Sequence, residues 1–292
     1  MFALSPRHMI FLTATVVACV GVSATPALHQ HGTDQPAKRP RVLVTNDDGI
    51  SSPGLRQLVL ALSEDADVVV CAPDSNRSGS SQSVPSLARP MTVKTDELPG
   101  AKQAFAVSGS PADAVCYAVV VLGKDQPFDL VVSGINSSAN VGDQSHSSGT
   151  VGAAMEGVCR GIPSIAVSQG GRTRDYKYTA AFAARFAKKL RSEGAKPRVV
   201  YSINVPSNNA DDIKGVAVRP MGGTMISITG YRTRETAGDA LTVQSRLKFE
   251  NKGPDGTDSG AFFDGYITIT PLRFDWTARD TIKELESWGL KK

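Results

Sequence analysis

Short apolar runs alternate with amphipathic segments over the first two thirds of the chain. Five runs are rich in β-branched and other apolar residues, as expected of strands covered on both faces: 41–45, 67–73, 129–133, 164–168 and 199–205. Between them, apolar residues recur at helical spacing near 53–62, 111–121, 150–160 and 179–191. This alternation predicts an α/β fold with a doubly wound, mostly parallel sheet, whose ligands bind at the carboxyl ends of the strands.

The pattern changes after about residue 219. Segments 224–231, 240–250 and 265–271 alternate apolar and polar residues with the period of a strand, and polar, glycine-containing breaks separate them. We interpret this region as a β-hairpin-rich oligomerisation arm rather than a second catalytic domain. The predicted organisation is therefore a catalytic domain at 41–219 and a C-terminal extension at 220–292.

The first forty residues have the features of a targeting segment. Arg7 and His8 precede an uncharged run from Met9 to Val22, and small residues follow at 22–24. This predicts a secretory signal peptide at 1–24 and a flexible linker at 25–40, because the run is shorter than the roughly 20 residues of a membrane span. We expect an exported chain, periplasmic or secreted, with no stable membrane span. Two alternatives stay open: an uncleaved anchor, and a lipoprotein anchored at Cys19.

Composition narrows the possible chemistry. Apolar residues make up 41% and charged residues 21%, which is ordinary for a globular protein, and a net charge of +4 is too small to indicate a nucleic acid polymer as partner. Only His146 of the four histidines lies within the predicted fold, so a histidine-rich metal site is excluded. The three cysteines of the fold are predicted to be small buried core residues, at least one of which stays free or pairs between chains; they are Cys71, Cys116 and Cys159.

Polar clusters follow three of the predicted strands. They are Asn46-Asp47-Asp48-Gly49, Asp74-Ser75-Asn76-Arg77-Ser78-Gly79, and a third that runs from Ser133 through Asn136, Asn140, Asp143 and His146 to Thr150. Adjacent carboxylates repel: at about 4 Å and a dielectric near 20, two unit charges cost about 4 kcal/mol. A raised pKa or a divalent cation relieves that repulsion.

The oxygen donors in these clusters suit a hard cation. Asp47, Asp48, Ser78 and Asn136 offer carboxylate, hydroxyl and amide oxygens without thiolate or imidazole, a set that favours Mg²⁺, Mn²⁺ or Ca²⁺. The alternative is that the two aspartates only cap the following helix.

A second candidate feature opens the fourth predicted helix. Ser148-Gly149-Thr150 can bind an anion through free backbone N–H groups and the positive end of the helix dipole. The alternative is an ordinary helix cap, with Gly152 and Gly157 present for close packing. The spacing alone does not separate these interpretations.

Several motifs together resemble the SurE family of metal-dependent nucleotidases. They are Val44-Thr45-Asn46-Asp47-Asp48-Gly49-Ile50, Ala72-Pro73-Asp74-Ser75-Asn76-Arg77-Ser78-Gly79, Val132-Ser133-Gly134-Ile135-Asn136, Asn140-Val141-Gly142-Asp143, Ser148-Gly149-Thr150-Val151 and Gly265-Tyr266-Ile267-Thr268-Ile269-Thr270-Pro271-Leu272. They occur in the family's order over roughly residues 41 to 280. The chain departs from the family pattern at 137–139 and 144–147, which bears on substrate preference. An export signal is also unusual for this mainly cytoplasmic family.

The resemblance implies a Rossmann-like sheet and hydrolysis of nucleoside 5′- and 3′-monophosphates. It implies one divalent metal ion per subunit, and a homodimer or homotetramer formed partly by C-terminal elements. Carried over by position, the metal ligands are Asp47, Asp48, Ser78 and Asn136. Asn140 and Ser148-Gly149-Thr150 are the corresponding phosphate-binding residues.

A mechanism follows as a hypothesis. A metal-activated water attacks phosphorus, one of Asp47 and Asp48 orients it, and Asn140, Thr150 and the helix N-terminus stabilise the equatorial oxygens. The catalytic residues are then Asp47, Asp48 and Asn140. The alternative from another class is an exported α/β solute-binding protein for an anionic ligand. The chain lacks the Gly-x-Ser-x-Gly and Gly-x-Gly-x-x-Gly patterns of serine hydrolases and dinucleotide enzymes.

Overall fold

A nine-stranded, mostly parallel sheet forms the centre of the protein. The computed structural model describes residues 38–171 and 173–290, so the predicted signal peptide, Cys19 and most of the predicted linker lie outside the described residues. The strands of this sheet are β1 (Arg41–Thr45), β2 (Asp67–Pro73), β3 (Val93–Asp96), β4 (Ala101–Val107), β5 (Leu130–Asn136), β6 (Ser164–Gln169), β7 (Val199–Val205), β8 (Gly215–Val218) and β11 (Tyr266–Arg273). Their order is β3-β4-β2-β1-β5-β6-β7-β11-β8, and only the β3–β4 and β7–β11 pairs are antiparallel.

Helices cover both faces of the sheet. They are α1 (Pro53–Ser63), α2 (Pro111–Tyr117), α3 (Gln144–Ser147), α4 (Gly149–Cys159), α5 (Lys177–Glu193), α6 (Asp258–Phe263) and α7 (Arg279–Ser287). Alternate residues of β1 point to opposite layers: Val42 and Val44 pack with α1 and α5, whereas Leu43 packs with α2. The predicted doubly wound α/β fold is confirmed.

The buried strands match the sequence pattern closely, whereas three short or half-exposed strands were not predicted. β1 and β2 have the predicted bounds, and β5 continues to Asn136. The unpredicted strands are β3, β4 and β8. They lie toward the sheet edges and show mixed burial, so their sequences carry no continuous apolar run.

The C-terminal region has two structural parts. Strands β9 (Ile226–Ala237) and β10 (Ala240–Phe249) form a separate antiparallel hairpin, as the predicted hairpin-rich extension requires. β11 instead returns to the central sheet between β7 and β8. The boundary at 219/220 stays a prediction. No helix in the described part of the chain has the length and apolar character needed to cross a bilayer.

The prediction that all three cysteines are buried is wrong for Cys159. Cys71 lies in the core, Cys116 is partly buried, and Cys159 is exposed at the last residue of α4. Successive residues of a helix point in different directions around its axis. An apolar run at the end of a surface helix therefore places one of its residues toward solvent. Within residues 38–171 and 173–290, none of the three cysteines forms a disulfide.

Candidate active site

The candidate site lies where the strand order reverses. From β1 the chain places β2 on one side and β5 on the other, and all three strands are parallel. Their carboxyl ends therefore open onto one crevice, which is where ligands bind in sheets of this type. Asp47 and Asp48 follow β1, the loop with Ser78 follows β2, and Asn136 ends β5.

A tight turn fixes the residues after β1. The side chain of Asn46 donates to the carbonyl of Gly49 (3.0 Å) and to the Ser52 hydroxyl (2.7 Å), and accepts from the Gly49 amide (3.2 Å). Gly49 has φ of +101°, and a Cβ there would lie 3.2 Å from the Ser75 backbone. The N-cap of α1 is Ser52, which accepts from the Leu55 amide (3.3 Å). The alternative that Asp47 and Asp48 merely cap this helix is therefore wrong.

Asp47 is buried against the start of α4. It is 3% exposed, and its Oδ1 accepts a 2.5 Å hydrogen bond from the hydroxyl of Thr150. A Cβ at Gly149 would lie 2.7 Å from Asp47 Cβ, so only glycine allows this approach. Burial raises the pKa of Asp47 to about 6, although the Thr150 hydroxyl acts in the opposite direction.

Asp48 connects the loops that follow the neighbouring strands. Its Oδ2 accepts from the Ser137 amide (3.1 Å) after β5, and its Oδ1 accepts from the Asn76 side chain (3.3 Å) after β2. The Ser137 hydroxyl is 3.4 Å from the same Oδ1. Burial raises the pKa of Asp48, with the two Ser137 contacts lowering it. Asp48 thus joins the three loops across the crevice.

The donor set fits a hard divalent cation. In residues 38–171 and 173–290, neither aspartate forms an ion pair with Lys, Arg or His. Two adjacent carboxylates in a partly desolvated turn are then stabilised by a bound cation. The same described residues contain no group of three His, Cys, Asp or Glu side chains suited to a metal, so hydroxyl and amide oxygens would complete the ligand set.

The other two predicted ligands lie on the loops that Asp48 joins. Ser78 is exposed, and its amide donates to Asn76 Oδ1 (3.0 Å), while the Asn76 side chain also contacts Asp48. Asn136 is 8% exposed and donates to the Ser138 carbonyl (2.6 Å), an orientation that leaves its Oδ1 available as a ligand. Their roles as metal ligands stay predictions.

The predicted phosphate-binding residues lie in two places: Ser148, Gly149 and Thr150 at the start of α4, and Asn140 in the loop after β5. Ser148 is the N-cap of α4 and accepts from the Val151 amide (3.1 Å). The Thr150 hydroxyl donates its single proton to Asp47, which leaves it only as an acceptor toward other groups. Asn140 is 4% exposed and its side chain donates to the Ser168 hydroxyl (2.8 Å). The phosphate roles of these residues and of Gly149 stay predictions.

The close-packing interpretation of the α4 glycines is also satisfied. A Cβ at Gly152 would lie 2.0 Å from the Ser81 carbonyl, and one at Gly157 would lie 2.3 Å from the Ser164 hydroxyl. α4 therefore packs tightly against the loop after β2 on one side and against β6 on the other.

Sequence reasoning missed several residues that organise the site. Ser137 and Asn76 bind Asp48, and their only sequence signal was their position within the polar clusters. Asp258 of α6 carried no signal: it is 1% exposed and its carboxylate accepts from the amides of Gly142 (3.2 Å) and Gly222 (2.9 Å). The C-terminal region thus supports the loop that contains Asn140, and burial raises the pKa of Asp258.

Comparison with known proteins identifies the family. The model of survival protein SurE matches residues 42–227, which is more than half of the chain. The chain belongs to the SurE family. A relative from Deinococcus radiodurans, named 5′-nucleotidase SurE, is 40% identical over 256 residues, which cover 86% of this chain and 93% of the relative.

A solved structure supports the same assignment. The crystal structure of the SurE protein from Aquifex aeolicus is similar with a TM-score of 0.73 and 32% identity, covering 86% of this chain and all of that one. The family resemblance inferred from the motifs is confirmed. Family membership does not favour the solute-binding alternative.

Proposed function

We propose that this protein is a metal-dependent phosphomonoesterase that hydrolyses nucleoside 5′- and 3′-monophosphates to nucleoside and phosphate. The observation that carries the proposal is the pair Asp47 and Asp48 at the reversal of strand order, buried enough to raise both pKa values and without a basic partner in the described residues. Similarity to a relative named 5′-nucleotidase SurE supports the substrate class.

Asp47, Asp48, Ser78 and Asn136 would hold one divalent ion per subunit. We expect Mg²⁺ or Mn²⁺, and the oxygen set also admits Ca²⁺. When bound, the ion supplies Lewis-acid polarisation of a phosphoryl oxygen and a more acidic water. Asp47 is held rigidly by Thr150, and Asp48 by Ser137 and Asn76, so neither carboxylate must reorganise when substrate arrives.

The remaining residues position the substrate and its charge. The first turn of α4 directs backbone N–H groups and its positive dipole end toward the crevice, where they stabilise phosphoryl oxygens. One of the two aspartates accepts a hydrogen bond from the attacking water and orients it. No side chain needs to form a covalent bond to phosphorus.

A phosphate-release assay tests this proposal. The substrates are nucleoside 5′- and 3′-monophosphates of each base and a generic phosphomonoester, each with Mg²⁺, with Mn²⁺ and with chelator. We expect release from both nucleotide classes only with metal. Release that persists undiminished in chelator contradicts metal dependence. Nucleotide binding without any release contradicts the enzyme assignment.

The proposal includes export, which a separate measurement tests. Fractionation of cells that express the full chain should find the protein outside the cytoplasm. Substitution of Cys19 by Ala should leave the protein exported if the signal is cleaved near Ala24, and should abolish membrane association if Cys19 carries lipid. Retention of the full chain in the cytoplasm contradicts export.

A further inference from the structure

The loop after β2 is attached to α3 and α4 by contacts that the proposed reaction does not use. Ser81 donates through its amide to the Ser147 carbonyl (3.2 Å) and through its hydroxyl to the His146 carbonyl (2.8 Å). Ser81 has φ of +50°, a conformation that a non-glycine residue keeps only when its surroundings hold it. Gly152 of α4 faces the Ser81 backbone so closely that any side chain there would collide.

A buried carboxylate forms the next contact along the loop. Glu156 of α4 has a side chain only 7% exposed, and its Oε2 accepts from the Gln82 side chain (3.0 Å). Its Oε1 accepts from Arg160 (2.8 Å) and from the Cys116 thiol (3.1 Å). The Cys116 pKa is raised to about 12, first by burial and then by Glu156, so this group stays a thiol that can donate.

The two carboxylate oxygens of Glu156 therefore contact different partners. Arg160 and Cys116 hold Oε1 from within the helical layer, which fixes the orientation of the carboxylate. Oε2 is then directed at the loop, where Gln82 is its partner. A buried network in which both oxygens are satisfied is rigid, so α4 holds the loop at a fixed distance.

The same helix holds Asp47 at its other end. Thr150 donates to Asp47 Oδ1, and the Arg77 amide donates to the Asp47 carbonyl (2.7 Å). Ser78 therefore lies between two attachments of its loop, one to Asp47 and one to α3 and α4 through Ser81 and Gln82 respectively. The position of the Ser78 hydroxyl relative to Asp47 depends on both attachments.

We infer that Gln82 and Glu156 are positioning residues that fix the Ser78 hydroxyl for divalent metal binding. The inference rests on the proposed function, because it takes Ser78 as a ligand. Neither residue contacts metal or substrate in this scheme. Partners that orient a metal ligand from outside the ligand set typically change metal affinity by about 10- to 100-fold when removed.

Titration of metal-free protein with Mn²⁺, followed by the electron paramagnetic resonance signal of the free ion, tests this inference. Gln82→Ala is expected to weaken Mn²⁺ binding about tenfold. At saturating Mn²⁺ its kcat should return close to that of the wild type, because the ligands themselves are intact.

Two further variants separate positioning from general stability. Leu190→Ala shortens a buried side chain of α5, which packs in a different core cluster from α4, so it should lower the melting temperature while leaving Mn²⁺ affinity unchanged. The double variant Gln82→Glu with Glu156→Gln keeps the net charge and reverses the direction of the hydrogen bond, so it should bind Mn²⁺ more tightly than Gln82→Ala does.

The possible outcomes distinguish this inference from the proposed function. If folded Gln82→Ala binds Mn²⁺ as the wild type does, or if Leu190→Ala weakens binding equally, the positioning role is wrong and the enzyme assignment stands. If Gln82→Ala does not fold, failure of the double variant to bind Mn²⁺ more tightly than Glu156→Gln alone overturns the inference. A wild-type protein that binds no Mn²⁺ contradicts the proposed function itself.

Discussion

The crevice at the strand ends and the β9–β10 hairpin use their side chains in opposite ways. In the crevice, polar groups bond to one another: buried Asp47 to Thr150, and half-buried Asp48 to the exposed residues Ser137 and Asn76. On the hairpin, large apolar side chains are exposed; they are Ile228, Tyr231, Leu241, Val243, Leu247 and Phe249. A single chain therefore provides hydrogen-bond partners for the polar groups of the crevice, whereas it leaves the apolar side chains of the hairpin exposed to solvent. From that contrast we propose that the crevice carries the chemistry, and we predict that any association between chains uses the hairpin.

The largest effect is expected from Asp47→Asn in the crevice. Phosphate release should fall roughly a thousandfold, since a ligand and an orienting carboxylate are lost together. The metal-free variant should nevertheless be at least as stable as the wild type near neutral pH, because an ionised buried carboxylate is replaced by a neutral group. Phosphate-release kinetics and thermal melts measure the two effects. Lost activity with a collapsed fold would contradict this separation.

The pH dependence tests the same carboxylate without mutation. Asp47 has a folded-state pKa of about 6, above its ordinary 3.8, so its ionisation costs stability. Metal-free protein should therefore lose stability as pH rises from about 4 to about 6. Mn²⁺ binds the ionised form, so its affinity should fall about tenfold for each pH unit below about 6. Thermal melts with and without Mn²⁺ across this range check the direction of the stability change and of the affinity change. The stability trend should be weaker in Asp47→Asn, because the raised pKa values of Asp48 and Asp258 contribute in the same direction.

A smaller effect is expected from the hydroxyl that holds Asp47. Thr150→Val keeps the shape of the side chain and removes the donor, so metal affinity should fall about tenfold. Thr150→Ser keeps the hydroxyl and serves as the matched control, with affinity close to wild type. Mn²⁺ titration measures both. Equal affinities in the two variants would show that this hydrogen bond does not prepare the site.

The smallest effect on catalysis is expected from the hairpin. Serine in place of Leu241, Leu247 and Phe249 removes exposed apolar surface and leaves the crevice unchanged. We expect phosphate release per chain within about twofold of wild type, and a lower mass by light scattering if the hairpin mediates the predicted dimer or tetramer. An unchanged oligomer mass would show that association uses another surface. The oligomeric state stays a prediction.

The buried half of the fold was predictable because its signals are local and continuous. β1 and β2 are unbroken apolar runs with polar ends, and Ser52-Pro53 is a strong helix start. β3, β4 and β8 were missed because partly exposed strands carry mixed sequences, and because β4 and β8 pair with strands far along the chain. The return of β11 to the central sheet likewise depends on a long-range partner.

For the candidate site, the sequence predicted the residue types but not their partners. Asp47 and Asp48 stand out as adjacent acids after a strand. The sequence spacing could not predict the hydrogen bond that Thr150 donates to Asp47. Residues 47 and 150 are far apart in sequence and meet only because the start of α4 packs against the loop after β1. The support from Asp258 and Glu156 is equally non-local, since each carboxylate is satisfied by groups distant in sequence.

We propose that the adjacent aspartates at the reversal of strand order hold one divalent ion. Mn²⁺ titration of metal-free wild type, Asp47→Asn and Asp48→Asn measures this binding itself. Asp74→Asn is the control, since Asp74 is an exposed acid on the neighbouring loop that pairs with Arg77. We expect one bound Mn²⁺ per chain in wild type and Asp74→Asn, and loss of that binding in both other variants. Undiminished Mn²⁺ binding by Asp47→Asn and Asp48→Asn would contradict it.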